Sequence, residues 1–179
     1  HKKLPCKVFC RGCIIQVNSA IYGGQLQYIK GEKHMNIGIK KLNKNAKIPA
    51  YGSEFAAGAD LYACLDFPVV IAPGRTKVIP TGIALELPVG YAGLIYARSG
   101  LATKQGLAPA NKVGVVDCDY RGEVMVALHN HSSESRTVNS GDRIAQLVIT
   151  PYITAVFQEK KELSSTARGA GGFGSTGSK

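Results

Sequence analysis

The chain has 179 residues, of which 45% are hydrophobic and 19% charged. That is roughly one domain with an ordinary globular balance, able to bury a core without disulfide or metal staples, and it excludes a disordered chain, a coiled coil and a collagen. The net charge of +10 is shared equally between residues 1–35 and the remainder, and the remainder holds no block of five or more like charges. It suits a protein that handles a small polyanion rather than a nucleic-acid polymer.

Residues 1–34 are basic and carry Cys6, Cys10 and Cys13. No Cys or His pair follows at zinc-finger spacing, which weakens a zinc reading. The segment ends in His34-Met35, which resembles a cloning junction ahead of a new start. It therefore reads as a leader or reading-frame extension outside the core. The competing reading is an organellar targeting segment, against which Ile14–Val17 is too short for a secretory apolar run and no Arg/Ser-rich amphipathic stretch is present. No run of 18 apolar residues occurs, which excludes a transmembrane helix; the protein is expected to be cytoplasmic. Cys64 and Cys118 read as free thiols in a reducing compartment.

From Ile37 onward the apolar period is near two. Lys77–Leu87 alternates around Pro80 and Gly82. Only Ser99–Gln105 can hold a helix of about two turns. Val124, Val126 and Leu128 alternate, and because Met125 and Ala127 are apolar too, the expected strand is covered on both faces. Ile144–Ile149 is another short strand. Pro73-Gly74, Pro88 with Gly90, Ser140-Gly141-Asp142 and Pro151 mark turns. Short strands at this spacing predict an all-β sandwich, jelly roll or barrel over 35–163. Residues 164–179 form a Gly/Ser/Thr tail that composition alone calls flexible.

Three apparent motifs carry little. Gly169-x-Gly171-x-x-Gly174 matches a dinucleotide fingerprint, and Gly172 to Lys179 resembles a phosphate loop with Ser178 and Lys179 reversed. Neither is followed by the helix whose N-terminus such motifs need. His129-x-His131 puts two imidazoles on one strand face but has no third ligand nearby, and reads as a solvated or strand-end pair.

Five segments combine Gly with acids, Arg or hydroxyls in ways that β-propensity would not select: Ala57–Leu61, Ala97–Ala102, Asn111–Gly122, Gly141–Gln146 and Arg168–Gly177. In the second, Arg98, Ser99 and Gly100 precede the short helix, an arrangement suited to an anion; the plain alternative is a Ser N-cap beside a surface Arg. In the third, Asp117 and Asp119 share a strand face if the chain stays extended, one as base and the other as orienter; the plain alternative is a turn. In the fifth, Arg, Phe, hydroxyls and glycines suit a lid that closes on a phosphate and a ring.

Together and in this order the five segments resemble the motifs of the trimeric dUTPase family, from Ala56 to Gly177. The resemblance implies a jelly-roll (β-clip) subunit in a homotrimer, with active sites shared between chains. It implies hydrolysis of dUTP to dUMP and pyrophosphate with Mg2+, and neither a nucleic-acid nor a membrane partner. By the same resemblance Asp117 is the catalytic carboxylate. Asn111, Val113, Gly114 and Val116 recognise uracil, and Tyr120 packs beneath deoxyribose. Arg98, Ser99, Gly100 and Gln146 bind phosphates. Asp60 reaches the magnesium through a water, with no direct protein ligand to the metal. Arg168, Ser175 and Thr176 grip the γ-phosphate, and Phe173 stacks on uracil. Asp119, Arg121 and Arg143 support the fold or an interface. Two alternatives remain at this point. One is a dCTP deaminase-like enzyme of the same fold, for which Glu86 and Glu123 offer acid/base groups. The other is a regulatory nucleic-acid- or protein-binding member of the scaffold.

Overall fold

A computed structural model describes residues 35–172. The expected leader at 1–34, and Phe173, Ser175 and Thr176, lie outside the described residues. The described chain is built almost wholly of short strands: β1 (Gly38–Lys41), β2 (Ala50–Tyr51), β3 (Ala59–Tyr62), β4 (Val69–Ile71), β5 (Thr76–Pro80), β6 (Ile83–Glu86) and β7 (Tyr91–Tyr96) come first. The helix α1 (Ser99–Gln105) follows, at the expected bounds. Then come β8 (Leu107–Pro109), β9 (Gly114–Val116), β10 (Met125–Asn130), β11 (Arg136–Val138) and β12 (Arg143–Pro151).

Every pairing is antiparallel. The sheet orders are β1-β6, β5-β10-β8, β11-β4 and β2-β3-β12-β7-β9. Neighbours such as β3-β12-β7 are far apart in sequence, so long connections carry the chain from sheet to sheet, as in a jelly roll. One core cluster takes Leu61 from β3, Ile79 from β5, Ile95 from β7, Leu128 from β10 and Ile144 from β12. The sheets therefore share a single interior.

Strand β10 shows why period two predicts these elements. Val126, Leu128 and Asn130 are buried, while Met125 is 49% exposed. The expectation that both faces would be covered is not met at Met125 in the single chain. Pro80, Pro109 and Pro151 are the last residues of their strands, where a missing N–H interrupts no interior ladder. Pro151 thus closes β12 rather than marking a turn beyond it. Helix α1 stops at Gly106, whose φ of 69° is left-handed and whose N–H returns to Ala102 O.

The buried polar residue of β10 ties two loops to the core. Asn130 is fully buried; its Nδ2 donates to Ile71 O at 2.8 Å and Glu134 O at 2.7 Å, and its Oδ1 accepts from Ser132 N at 2.9 Å. Asn130→Ala strands these partners without water and is expected to cost about 3 kcal/mol of unfolding free energy. An unchanged urea midpoint would refute that. Cys64 and Cys118 are free, and burial, then Glu123 and Asp66, pushes the Cys64 thiol upward.

Candidate functional site

Asn111 to Met125 folds as loop, strand and loop around a cavity of about 240 Å3. Five residues expected to contact a ligand line it together: Asn111, Gly114, Val116, Asp117 and Tyr120. Val113 does not line it; its N–H donates to Asn111 O at 2.7 Å. Ile95, Val116 and Val124 belong to both the core and the cavity wall, so the wall is rigid where it meets the interior. Strand β9 pairs Gly114 with Ile95 of β7. A Cβ at Gly114 would stand 3.3 Å from Ile95 Cβ and 3.3 Å from Asn111 Nδ2. Glycine there lets the Asn111 amide close onto the sheet. Lys112, beside it, holds a φ of 65°, which costs a non-glycine residue energy and marks a loop fixed by its surroundings.

Strand β9 ends at Val116, and the chain turns at once, with Tyr120 N donating to Asp117 O at 3.2 Å. The expectation of an extended Asp117-x-Asp119 strand face is therefore overturned; the turn alternative describes the backbone. The turn puts Asp117 at the cavity and leaves Asp119 outside its lining. Arg121 braces it, donating to Cys118 O at 2.7 Å and Tyr120 O at 3.2 Å. The Tyr120 hydroxyl donates to Glu123 O at 3.0 Å, and the ring lies across Gly122 so closely that a Cβ there would meet Cζ at 2.5 Å.

Sequence reasoning did not place Ile95, Glu123, Val124 or Met125 in this lining. Glu123, Val124 and Met125 are marked only by following the third segment, and Ile95 enters through its strand pairing with Gly114. Glu123 Oε1 accepts from Gly82 N at 2.7 Å, which leaves Asp117 as the lining carboxylate open to solvent. The lining holds two carboxylates and no Lys or Arg.

The cations lie in a second cluster. Strands β3, β12 and β7 set Asp60, Gln146 and Tyr96 side by side, and Arg98 follows the end of β7. Asp60 is 3% exposed. Its Oδ1 accepts from Arg98 Nε at 2.8 Å and Gln146 Nε2 at 3.4 Å, and its Oδ2 from Arg143 at 3.2 Å. Arg143 and Gln146 stand three apart and would face opposite ways on a regular strand. The register of β12 against β3 shifts between Arg143 and Ala145, and this bulge returns both side chains to one carboxylate. Arg98, not Ser99, is the N-cap of α1, and it makes no side-chain cap bond. That corrects both halves of the plain alternative, because the Arg98 side chain is only 24% exposed and is paired. Ser99 and Gly100 form the exposed first turn of α1.

Both Asp60 oxygens are engaged, Oδ1 by a guanidinium and an amide and Oδ2 by a second guanidinium. Among the described residues no group of three His, Cys, Asp or Glu side chains is placed to hold a metal. The histidine pair sits edge to face with ring centroids 4.4 Å apart, and His129 Nδ1 bonds Thr76 Oγ1 at 2.9 Å. Regular structure ends at Pro151, and residues 152–170 are exposed. Arg168 Nε bonds Gly171 O at 2.8 Å within that segment, away from the cavity lining. Among the described residues no helix is long and apolar enough to cross a membrane.

The dUTPase family model matches residues 44–177. The deoxyuridine 5'-triphosphate nucleotidohydrolase of Syntrophotalea carbinolica is 50% identical over 145 residues, covering 81% of this chain and 99% of its own. That of Nautilia profundicola is 52% identical over 143 residues, covering 80% and 99%. Among solved structures, a Staphylococcus bacteriophage 80alpha dUTPase with dUpNHpp matches with a TM-score of 0.69 at 30% identity, covering 79% of this chain and 98% of that one. A phage phi11 dUTPase mutant described with a structural Mg(II) ion matches with a TM-score of 0.66 at 26% identity, covering 73% and 100%.

Proposed function

Because the chain belongs to the dUTPase family, we propose that it hydrolyses dUTP to dUMP and pyrophosphate by in-line attack of water on the α-phosphorus. The reaction removes dUTP and supplies dUMP for dTMP synthesis. The observation that carries the reading is the cavity that sets the Asn111 amide, the Tyr120 ring and the open Asp117 carboxylate around one space.

In this reading the Asn111 amide and the backbone of Val113–Val116 meet the uracil edge, and the Tyr120 ring supports deoxyribose where a 2′-hydroxyl would clash. Asp117 orients the attacking water and takes its proton as the new P–O bond forms and the bond to the bridging oxygen breaks. Arg98, Ser99, Gly100 and Gln146 meet the phosphates. Arg168, Ser175 and Thr176 close on the γ-phosphate, and Phe173 on the base. A bound Mg2+ would supply neutralisation of the charge that develops on the departing pyrophosphate, and no side chain of this chain would be its direct ligand. The chain divides into a non-core segment at 1–34, the β domain at 35–163 and a lid at 164–179, in a cytoplasmic, reducing setting that suits its free Cys64 and Cys118.

A triphosphate carries about four negative charges, which need cations close by. The cavity lining has none, and the Arg98 cluster lies outside it. We therefore propose a homotrimer in which one copy's cations complete another copy's cavity. The arm after β12 supports this: Ile153, Val156 and Phe157 are 95%, 87% and 95% exposed in the single chain, an apolar surface that association would cover.

The direct test is pyrophosphate release from dUTP, dCTP, dTTP and UTP in parallel. Turnover largely confined to dUTP supports the reading, and no hydrolysis of any of the four by folded protein would sink it. Gly122→Ala gives a finer test. The added methyl displaces the Tyr120 ring, so discrimination between dUTP and UTP in kcat/KM is expected to fall by about tenfold or more. Unchanged discrimination would remove Tyr120 from the sugar-reading role.

A further inference from the structure

We infer that Tyr152 is a positioning residue for the Asp117 carboxylate and acts through the thiol of Cys118. The inference rests on the proposed dUTP hydrolysis and deepens it, because Tyr152 lies outside the cavity lining and outside all five segments. Tyr152 is the last residue held to the sheet before the chain leaves it. Pro151 ends β12 opposite Tyr91 of β7, and Tyr152 N donates to Gly90 O at 3.0 Å, which carries the pairing one residue past the strand. Gly90 holds a φ of 87°, which glycine adopts without strain, and Tyr91 N closes the same turn on Pro88 O at 3.1 Å. The backbone of Tyr152 is thus fixed, whereas Ile153 beyond it is 95% exposed.

From this fixed root the Tyr152 hydroxyl reaches the turn that carries Asp117. It lies 3.5 Å from Cys118 Sγ, a hydrogen-bond distance for sulfur. Cys118 directly follows Asp117, its thiol is free, and it packs against the core cluster. The bonds that close the turn, from Tyr120 N to Asp117 O and from Arg121 to Cys118 O and Tyr120 O, are internal to it. They set its shape but not its place against the sheet. On one side Arg121 reaches Glu86 of β6 at 3.7 Å, an exposed ion pair that holds little. On the other, Tyr152 ties the turn to the end of β12. The bond to Cys118 leads the effects that push the Tyr152 hydroxyl above its usual range, and the Asp117 carboxylate adds to them. The hydroxyl therefore keeps its proton at neutral pH and donates it to the sulfur. Without that bond the turn keeps its shape but can shift as a unit. A base displaced by a fraction of an ångström from the attacking water loses rate.

The test uses the full-length chain and four proteins: wild type, Tyr152→Phe, Cys118→Ala and the double variant. The first readout is steady-state hydrolysis of dUTP. Tyr152→Phe is expected to lower kcat by about three- to tenfold and to leave KM within about twofold, because no lining residue is touched. Cys118→Ala is expected to do the same, and the double variant to be no slower than the slower single variant. The second readout is amide hydrogen exchange without substrate. Tyr152→Phe is expected to speed exchange in the peptide covering Asp117–Tyr120 and to leave the strands of the core unchanged.

An unchanged kcat in Tyr152→Phe would overturn the inference, as would single effects that multiply in the double variant. Faster exchange across the whole chain would also overturn it, by reducing Tyr152 to a contributor to stability. A KM that rises as much as kcat falls would do so too, by moving its role to substrate binding. A wild type without dUTP turnover is a different result: it would defeat the hydrolysis reading itself and leave no base for Tyr152 to position.

Discussion

Asp117→Asn is expected to lower kcat for dUTP by about 10²–10⁴-fold. The substitution keeps the shape of the side chain and removes its ability to accept a proton. The turn that presents Asp117 is closed through its backbone carbonyl, which receives Tyr120 N, and is braced by Arg121 on Cys118 O and Tyr120 O. None of these bonds uses the carboxylate, so the loop should survive. Binding of a non-hydrolysable imido analogue of dUTP should therefore stay within a few-fold of wild type while turnover collapses. The outcome is informative because the cavity holds a second carboxylate. Glu123 is bonded to Gly82 N, a commitment that argues against its serving as the base. If Asp117→Asn retained turnover and Glu123→Gln lost it, the assignment would pass to Glu123.

The parts of the structure legible in the sequence are those set by local pattern. Ser99–Gln105 is helical because it lies between a polar entry and Gly106, which only a left-handed cap requires. The inner face of β10 follows from alternation, and Asn130 extends that face in spite of its polarity because three backbone groups and the Ser132 hydroxyl satisfy it. Strand β7 was harder to see. Gly93 interrupts its apolar run, and the reason for that glycine is tertiary: a Cβ there would meet Leu147 Cδ1 at 3.0 Å on the neighbouring strand.

The candidate site divides in the same way. Asn111, Gly114, Val116, Asp117 and Tyr120 lie within one short stretch, so local sequence could gather them. Asp60 comes from β3, Arg143 and Gln146 from β12 and Arg98 from just beyond β7, and their meeting depends on register. Ile144 and Ala145 are both buried, at 1% and 0% exposure, the mark of the bulge that turns Arg143 toward Asp60. Alternation alone places Arg143 on the face opposite Gln146, so the motif does not show that both meet Asp60. The surroundings of Asp60 were invisible for the same cause: a motif fixes which residues are present, while the ladder decides which of them meet.

Mixing two inactive chains should restore activity. Arg98→Ala removes a phosphate cation and leaves the Asp117 cavity intact; Asp117→Asn does the reverse. Each variant alone is expected to retain little turnover. If every site takes Arg98 from one copy and Asp117 from another, random association of equal amounts leaves about a quarter of the sites with both native residues. Co-refolding the two variants should then recover about a quarter of wild-type activity per site. A site contained within one chain predicts no recovery at any mixing ratio, because every chain carries a defect. The single-chain geometry favours recovery: the cavity lining has two carboxylates and no Lys or Arg, and a polyanion would not settle beside unopposed negative charge. Co-refolding that left activity at the level of the separate variants would mean that Arg98 and Asp117 serve one cavity within a chain, brought together by a movement of the loops around β7 and β9 rather than by a second copy.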